Sequence, residues 1–182
     1  IRGRRENATA VLTVEDNGCG MTAAELESNL GVIAKSGSLE FKKQLEEKSG
    51  DIDVIGQFGV GFYSAFMVAD NIKVLSRAYG SEEANLWESE GASGYTVTPA
   101  TREKAGTTVI LHLKEDTEDD RYSDFLEEYQ IRNLIRKYSD YIRYPIKMLC
   151  STSRLKEGSE DEYESVLEDK VLNSIVPLWK RP

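Results

Sequence analysis

Two short glycine-rich stretches hold the residues of this chain best suited to chemistry. In Asp16-Asn17-Gly18-Cys19-Gly20-Met21 a carboxylate sits on a glycine turn. In Gly56-Gln57-Phe58-Gly59-Val60-Gly61-Phe62 three glycines free neighbouring backbone N–H groups to point one way. An ionised aspartate only accepts hydrogen bonds. Asp16 therefore suits the amino group of adenine and disfavours guanine, which presents a carbonyl at that position. Gly18 and Gly20 let the backbone approach a planar base without a Cβ, and Met21 is apolar and pliable enough to lie against it. A ring of N–H groups at the start of a helix holds phosphates. The two stretches read as the two ends of an ATP pocket.

Each stretch also has a plainer reading. D-x-G-x-G makes an ordinary Asx turn between a strand and a helix, and G-x-x-G-x-G makes an ordinary loop. The second stretch is not a dinucleotide fingerprint, because no βαβ unit surrounds it. It is not a P-loop either, because no Gly-Lys-Ser/Thr follows. Asn29 and Lys35 lie between the two stretches, and Gly106-Thr107 opens a later strand. Taken singly these are a helix-end amide, a solvated charge and a strand-start threonine.

Such a pocket needs a strand running into Asp16 and a helix running out of Gly61. Val11-Leu12-Thr13-Val14 supplies the strand. Thr22 and Glu25 have the spacing of a capping box, and Leu26, Leu30 and Ile33 follow at helical spacing. Residues 36–56, polar and bounded by glycines, are expected to form a mobile lid with one short helix over 39–48. Residues 62–69 are expected to be a deeply buried apolar helix. Ile72, Val74 and Ser76 alternate with Lys73, Leu75 and Arg77. Further strands over 86–90, 95–98 and 107–114, joined through glycines, give an antiparallel meander. A capped helix starting at 124–127 carries Ile131, Leu134, Ile135, Tyr138 and Ile142 and stops at Pro145. Ile146, Met148, Cys150 and Thr152 alternate as a last strand. The opening residues 2–7 are polar, with Glu6-Asn7 in a turn.

Bulk properties narrow the function classes. A chain of 182 residues buries one good core. A net charge of −9 opposes a nucleic-acid footprint, which needs a basic face. Cys19 and Cys150 give neither a disulfide framework nor metal spacing, and His112 is the single histidine. No apolar run approaches the ~20 residues of a membrane helix. With no secretory signal, a cytoplasmic setting is the default.

In order along the chain, Asp16-x-Gly18-x-Gly20, Gly56-x-x-Gly59-x-Gly61 and Gly106-Thr107 resemble the GHKL ATPases, which include gyrase, heat-shock chaperones, histidine kinases and MutL. Within that group the chain is similar to the heat shock protein 90 family, in its bacterial form. The residues that carry this are Asn29-Leu30-Gly31-Val32-Ile33-Ala34-Lys35-Ser36-Gly37, the stretch from Gly56 to Ser64, Leu86-Trp87-Glu88-Ser89, the stretch from Val109 to Asp116, and Tyr144-Pro145-Ile146.

The resemblance implies an α+β fold, a two-layer sandwich of a mostly antiparallel sheet with helices on one face, lacking its N-terminal helix and strand. It implies a nucleotide domain over 1–154, a charged linker over 155–176 and the first residues of a middle domain over 177–182. Asp16 would receive the adenine amino group, with Gly20 and Met21 lining the base. Asn29 and Lys35 would lie near the ribose and phosphates. Gly59, Val60, Gly61 and Phe62 would offer backbone N–H groups to the phosphates, and Thr107 would act through water beside Asp16. The ligand would be ATP or ADP with Mg²⁺. The family's general-base glutamate and Mg²⁺-binding asparagine would precede Ile1, so no catalytic residue is assigned, and this chain alone is expected not to hydrolyse ATP measurably. In the full-length protein the resemblance implies an ATPase chaperone, homodimeric, acting on unfolded or partly folded client proteins, with no nucleic-acid or membrane partner. The alternatives are a MutL- or gyrase-like ATPase acting on DNA and a nucleotide-inactive interaction fragment.

Overall fold

The computed structural model describes residues 1–6, 9–31, 60–156, 158 and 161–176. Lys35, Gly59, the expected lid over 36–56 and residues 177–182 lie outside the described residues. The chain forms two compact units, Thr13–Glu115 and Ile1–Leu12 with Asp116–Pro182. Strand β2 (Thr9–Glu15) runs through the boundary between them.

Unit Thr13–Glu115 is built on strands β3 (Ala69–Arg77), β4 (Ala84–Ser89), β5 (Tyr95–Ala100) and β6 (Gly106–Leu113). They lie in the order β6-β3-β4-β5, and each of these neighbours pairs antiparallel. The expected meander holds for β3, β4 and β5, but β6 returns to pair with β3 instead of continuing beside β5, and the architecture is α+β. Alternation sets the buried face. Ile72, Val74 and Ser76 of β3 are buried, as their period-two spacing requires, and they join Trp87, Leu111 and Leu113.

Helix α1 (Ala23–Leu30) starts at the predicted capping box. The Thr22 hydroxyl accepts from the Glu25 N–H, and the Glu25 carboxylate accepts from the Thr22 N–H at 2.7 Å. Only Leu26 of α1 is fully buried. The apolar run after Gly61 departs from expectation. It is a six-residue 3-10 helix, Phe62–Met67, with no buried residue, rather than a deeply buried α-helix. Met67 is 71 % exposed, and the next buried residue, Ala69, already belongs to β3. A short apolar run has no period that separates helix from strand, and here it is divided between the two.

Helix α1 and the 3-10 helix cover the face presented by Trp87 and Tyr95. The Phe62 ring meets Trp87 edge-on at 5.5 Å, and Trp87 stacks on Tyr95 at 5.8 Å. The Tyr63 hydroxyl donates to the Leu30 carbonyl at 3.0 Å, which ties the 3-10 helix to the end of α1. Burial, with Tyr95 close by, pushes the Tyr63 phenol up, so it remains a donor.

The second unit packs helix α2 (Glu128–Tyr138) against a hairpin of β7 (Lys147–Leu155) and β8 (Tyr163–Val171). Its core joins Ile131 and Ile135 to Met148, Cys150 and Leu172, with Ile1, Leu12 and Ile146 around them. Three expectations are corrected here. The polar opening forms strand β1 (Arg2–Glu6), exposed along its whole length, which is why no apolar alternation marks it. Helix α2 ends at Tyr138 with Ser139 as its cap, so Ile142 is outside it, and Leu134 and Tyr138 face solvent. The stretch 155–176, expected as a linker, contains β8. Its Glu164 and Lys170 are charged yet half-buried, and they hide the strand from a hydrophobicity pattern. Beyond β8 the buried Asn173 accepts from the Ile146 N–H and donates to the Ile142 and Tyr144 carbonyls, so the chain is pinned there as well.

One pH dependence follows in this unit. Asp116 accepts from the Ser123 hydroxyl at 2.6 Å and the Ser123 N–H at 2.8 Å. These two bonds, with Arg121 and Arg5 adding positive charge, hold its carboxyl below the usual range. A depressed carboxylate stabilises the fold above the unfolded value of about 3.9 and loses that effect as pH falls through the lower folded value. The Ser123 amide resonance should therefore titrate with a midpoint below about 3.9, and Asp116→Asn should abolish the step. A midpoint at or above the free value would refute the bond.

Candidate nucleotide site

Strand β2 delivers Asp16 to the start of β6. The Asp16 N–H donates to the Thr107 carbonyl at 2.8 Å. Its Oδ1 accepts from Gly18 N–H at 2.8 Å and from Thr107 N–H at 3.1 Å. The ordinary Asx turn is therefore real, but it uses one carboxylate oxygen. Oδ2 is required by neither bond, and Asp16 is exposed.

The glycines around it are demanded by contact. Gly20 has φ +65°, and a Cβ there would lie 1.9 Å from the Arg77 carbonyl oxygen. Gly106 has φ +124°, and its Cβ would lie 2.4 Å from the Asp16 carbonyl oxygen. Both positions need a residue with no side chain to clash.

Ser76 links the two loops. Its buried hydroxyl oxygen accepts from Met21 N–H at 2.9 Å, lies 2.9 Å from the Thr107 hydroxyl, and is 3.2 Å from the Gly106 carbonyl. Asn29, half-buried on α1, points its amide at the Met21 sulfur 4.0 Å away. Asp16, Gly20, Met21, Asn29 and Thr107 are thus brought into one neighbourhood. Val60 and Gly61 lie exposed at the entry to the 3-10 helix, and a Cβ on Gly61 would meet open space. Phe62 is turned onto Trp87, so what it has to offer a ligand is its backbone. The macrodipole of a long helix after Gly61 is not available from a six-residue 3-10 helix.

Ser76 and Arg102 contact the candidate residues Met21, Thr107 and Asp16 and were not proposed for the site from the sequence. Ser76 did carry a signal, since it is the polar member of the buried alternation on β3. Arg102 carried none.

Residues 2–117 match the family model described as "Histidine kinase-, DNA gyrase B-, and HSP90-like ATPase". The chain belongs to this ATPase family. Residues 124–176 match a second model, described as "Hsp90 protein", which places the similarity in the Hsp90 branch. The first match spans unit Thr13–Glu115 and the second lies within the other unit. Among relatives, the chaperone protein HtpG of Bacillus subtilis is 59 % identical over 181 residues. The HtpG proteins of Alkaliphilus metalliredigens and Clostridium perfringens are 58 % and 55 % identical over the same length. Each alignment covers the whole of this chain and 29 % of the relative, so the chain spans under a third of the length of these HtpG proteins. Membership in an ATPase family implies nucleotide binding.

Proposed function

We propose that this chain is the nucleotide-binding part of an ATP-driven chaperone. The observation that carries the reading is the Asp16 carboxylate. Two backbone N–H groups fix it through Oδ1, so Oδ2 is held ready to accept from the adenine amino group. Gly20 and Met21 would line the base, and Thr107 would reach it through a water. Asn29 and Lys35 would lie near the ribose and phosphates. Gly59, Val60, Gly61 and Phe62 would donate backbone N–H groups to the phosphates, with Mg²⁺ carried in on them. Bound ATP would supply the cleavable phosphoanhydride. The residues of this chain bind and orient it, and no catalytic residue is assigned among them.

For the whole protein the proposal includes ATP hydrolysis, a homodimer, a cytoplasmic location and work on unfolded or partly folded clients. Similarity to the HtpG chaperones supports these. ATP binding would favour one conformation of the protein, and hydrolysis would release it, which requires ATP and ADP to differ in affinity for that conformation. Calorimetric titration of this chain with ATP, ADP and GTP tests the core of the proposal. One site per chain is expected, with adenine nucleotides preferred over GTP. No heat with either adenine nucleotide would reject the reading.

A further inference from the structure

We infer that Arg102, in the connection between β5 and β6, is the positioning residue for Asp16, and that Arg77 holds Arg102 in place for that task. The inference rests on the proposed nucleotide site and adds to it a residue that touches no ligand. The Arg102 side chain is only 8 % exposed although it belongs to a surface connection. Its Nη2 donates to the Asp16 carbonyl oxygen at 3.1 Å and to the Glu15 carboxylate at 3.1 Å. Its Nη1 donates to the Lys104 carbonyl and, at 3.0 Å, to the Ala105 carbonyl. One planar fork thus joins the end of β2 to the turn that feeds Gly106 and Thr107.

Asp16 is then fixed at every backbone group it has. Its N–H goes to Thr107 and its carbonyl goes to Arg102, which leaves the side chain little freedom to swing. Arg77 does the same one layer back. Its Nη1 donates to the Arg102 carbonyl at 3.1 Å and the Glu103 carbonyl at 2.6 Å, and its Nε donates to the Ser81 carbonyl at 2.7 Å. A guanidinium carries five donors in a rigid fork, whereas an ammonium is a compact point charge. Lysine at 102 would keep the charge and lose the simultaneous grip on the two sides.

The test uses the whole chain with Arg102→Lys and Arg102→Ala. Amide exchange is read first, without nucleotide. Gly18 and Thr107 N–H both bond Asp16 Oδ1, so both should exchange at least tenfold faster in the variants. Val74 and Leu75, in the middle of β3, should keep their rates. With ATP, affinity should then fall about tenfold and the preference for ATP over GTP should narrow, for ADP as much as for ATP, because the loss is at the base and not at the phosphates. Unchanged Gly18 and Thr107 exchange would overturn the inference, and so would acceleration of the β3 amides in step with them, which would mean general loosening. Faster exchange with unaltered ATP affinity would also overturn it. If Arg102→Ala does not fold, Arg102→Lys carries the same comparison. A wild-type chain that binds no ATP would reject the proposed function, while the exchange experiment would still decide whether Arg102 holds Asp16.

Discussion

Asp16→Asn should lower ATP and ADP affinity at least tenfold while leaving the fold intact. Gly18 and Thr107 both present N–H donors to Oδ1, so the replacement amide must place its oxygen there. Its NH₂ group then takes the place of Oδ2 and meets the adenine amino group donor to donor. A mismatch of this kind costs about 1–3 kcal/mol, and more where the lost acceptor was charged. Tenfold in affinity corresponds to about 1.4 kcal/mol. The forced orientation adds a sharper expectation. Guanine presents a carbonyl at the equivalent position, so the variant should lose ATP without losing GTP, and the preference between the two should narrow or reverse. The melting temperature should barely move, because both N–H bonds to Asp16 survive. Calorimetry that finds ATP affinity unchanged would rule out Asp16 as the adenine acceptor.

What was legible in the sequence depended on whether a residue's role was local. The Thr22–Glu25 box and the alternation of β3 are set by neighbours a few positions away, and each is found where its spacing placed it. Asp16 was legible as a chemical possibility, but its Thr107 partner is supplied by a strand far along the chain. Strand β8 was hidden because its half-buried face includes Glu164, Glu168 and Lys170, so charge concealed the period. The run 62–69 misled for the opposite reason, being apolar enough for any element. Arg102 was invisible, since its function depends on four carbonyl and carboxylate oxygens that only the folded chain assembles.

Gly20→Ala should be the most damaging single-methyl change in the site. The added Cβ would lie 1.9 Å from the Arg77 carbonyl oxygen, 2.6 Å from its carbon and 3.1 Å from the Gly106 nitrogen. Backbone has to move, because no flexible side chain is there to yield. Arg77 cannot retreat easily, since in β3 it is paired with Ala84 on one side and Gly106 on the other. A left-handed conformation costs a non-glycine residue roughly 1–2 kcal/mol by itself, and the displaced strand adds to that. We expect a loss of at least about 3 kcal/mol, within the range of large single-site effects, and roughly 6–12 °C in melting temperature for a chain of this size. Two controls separate the causes. Gly80 has φ +79° with open space around it, so Gly80→Ala should pay only the conformational cost. Gly18 has no positive φ and would meet only the Asp16 side chain at 3.1 Å, so Gly18→Ala should leave stability nearly unchanged. If Gly20→Ala melts no lower than Gly80→Ala, the contact between the Asp16–Met21 loop and β3 is not what holds this end of the site together.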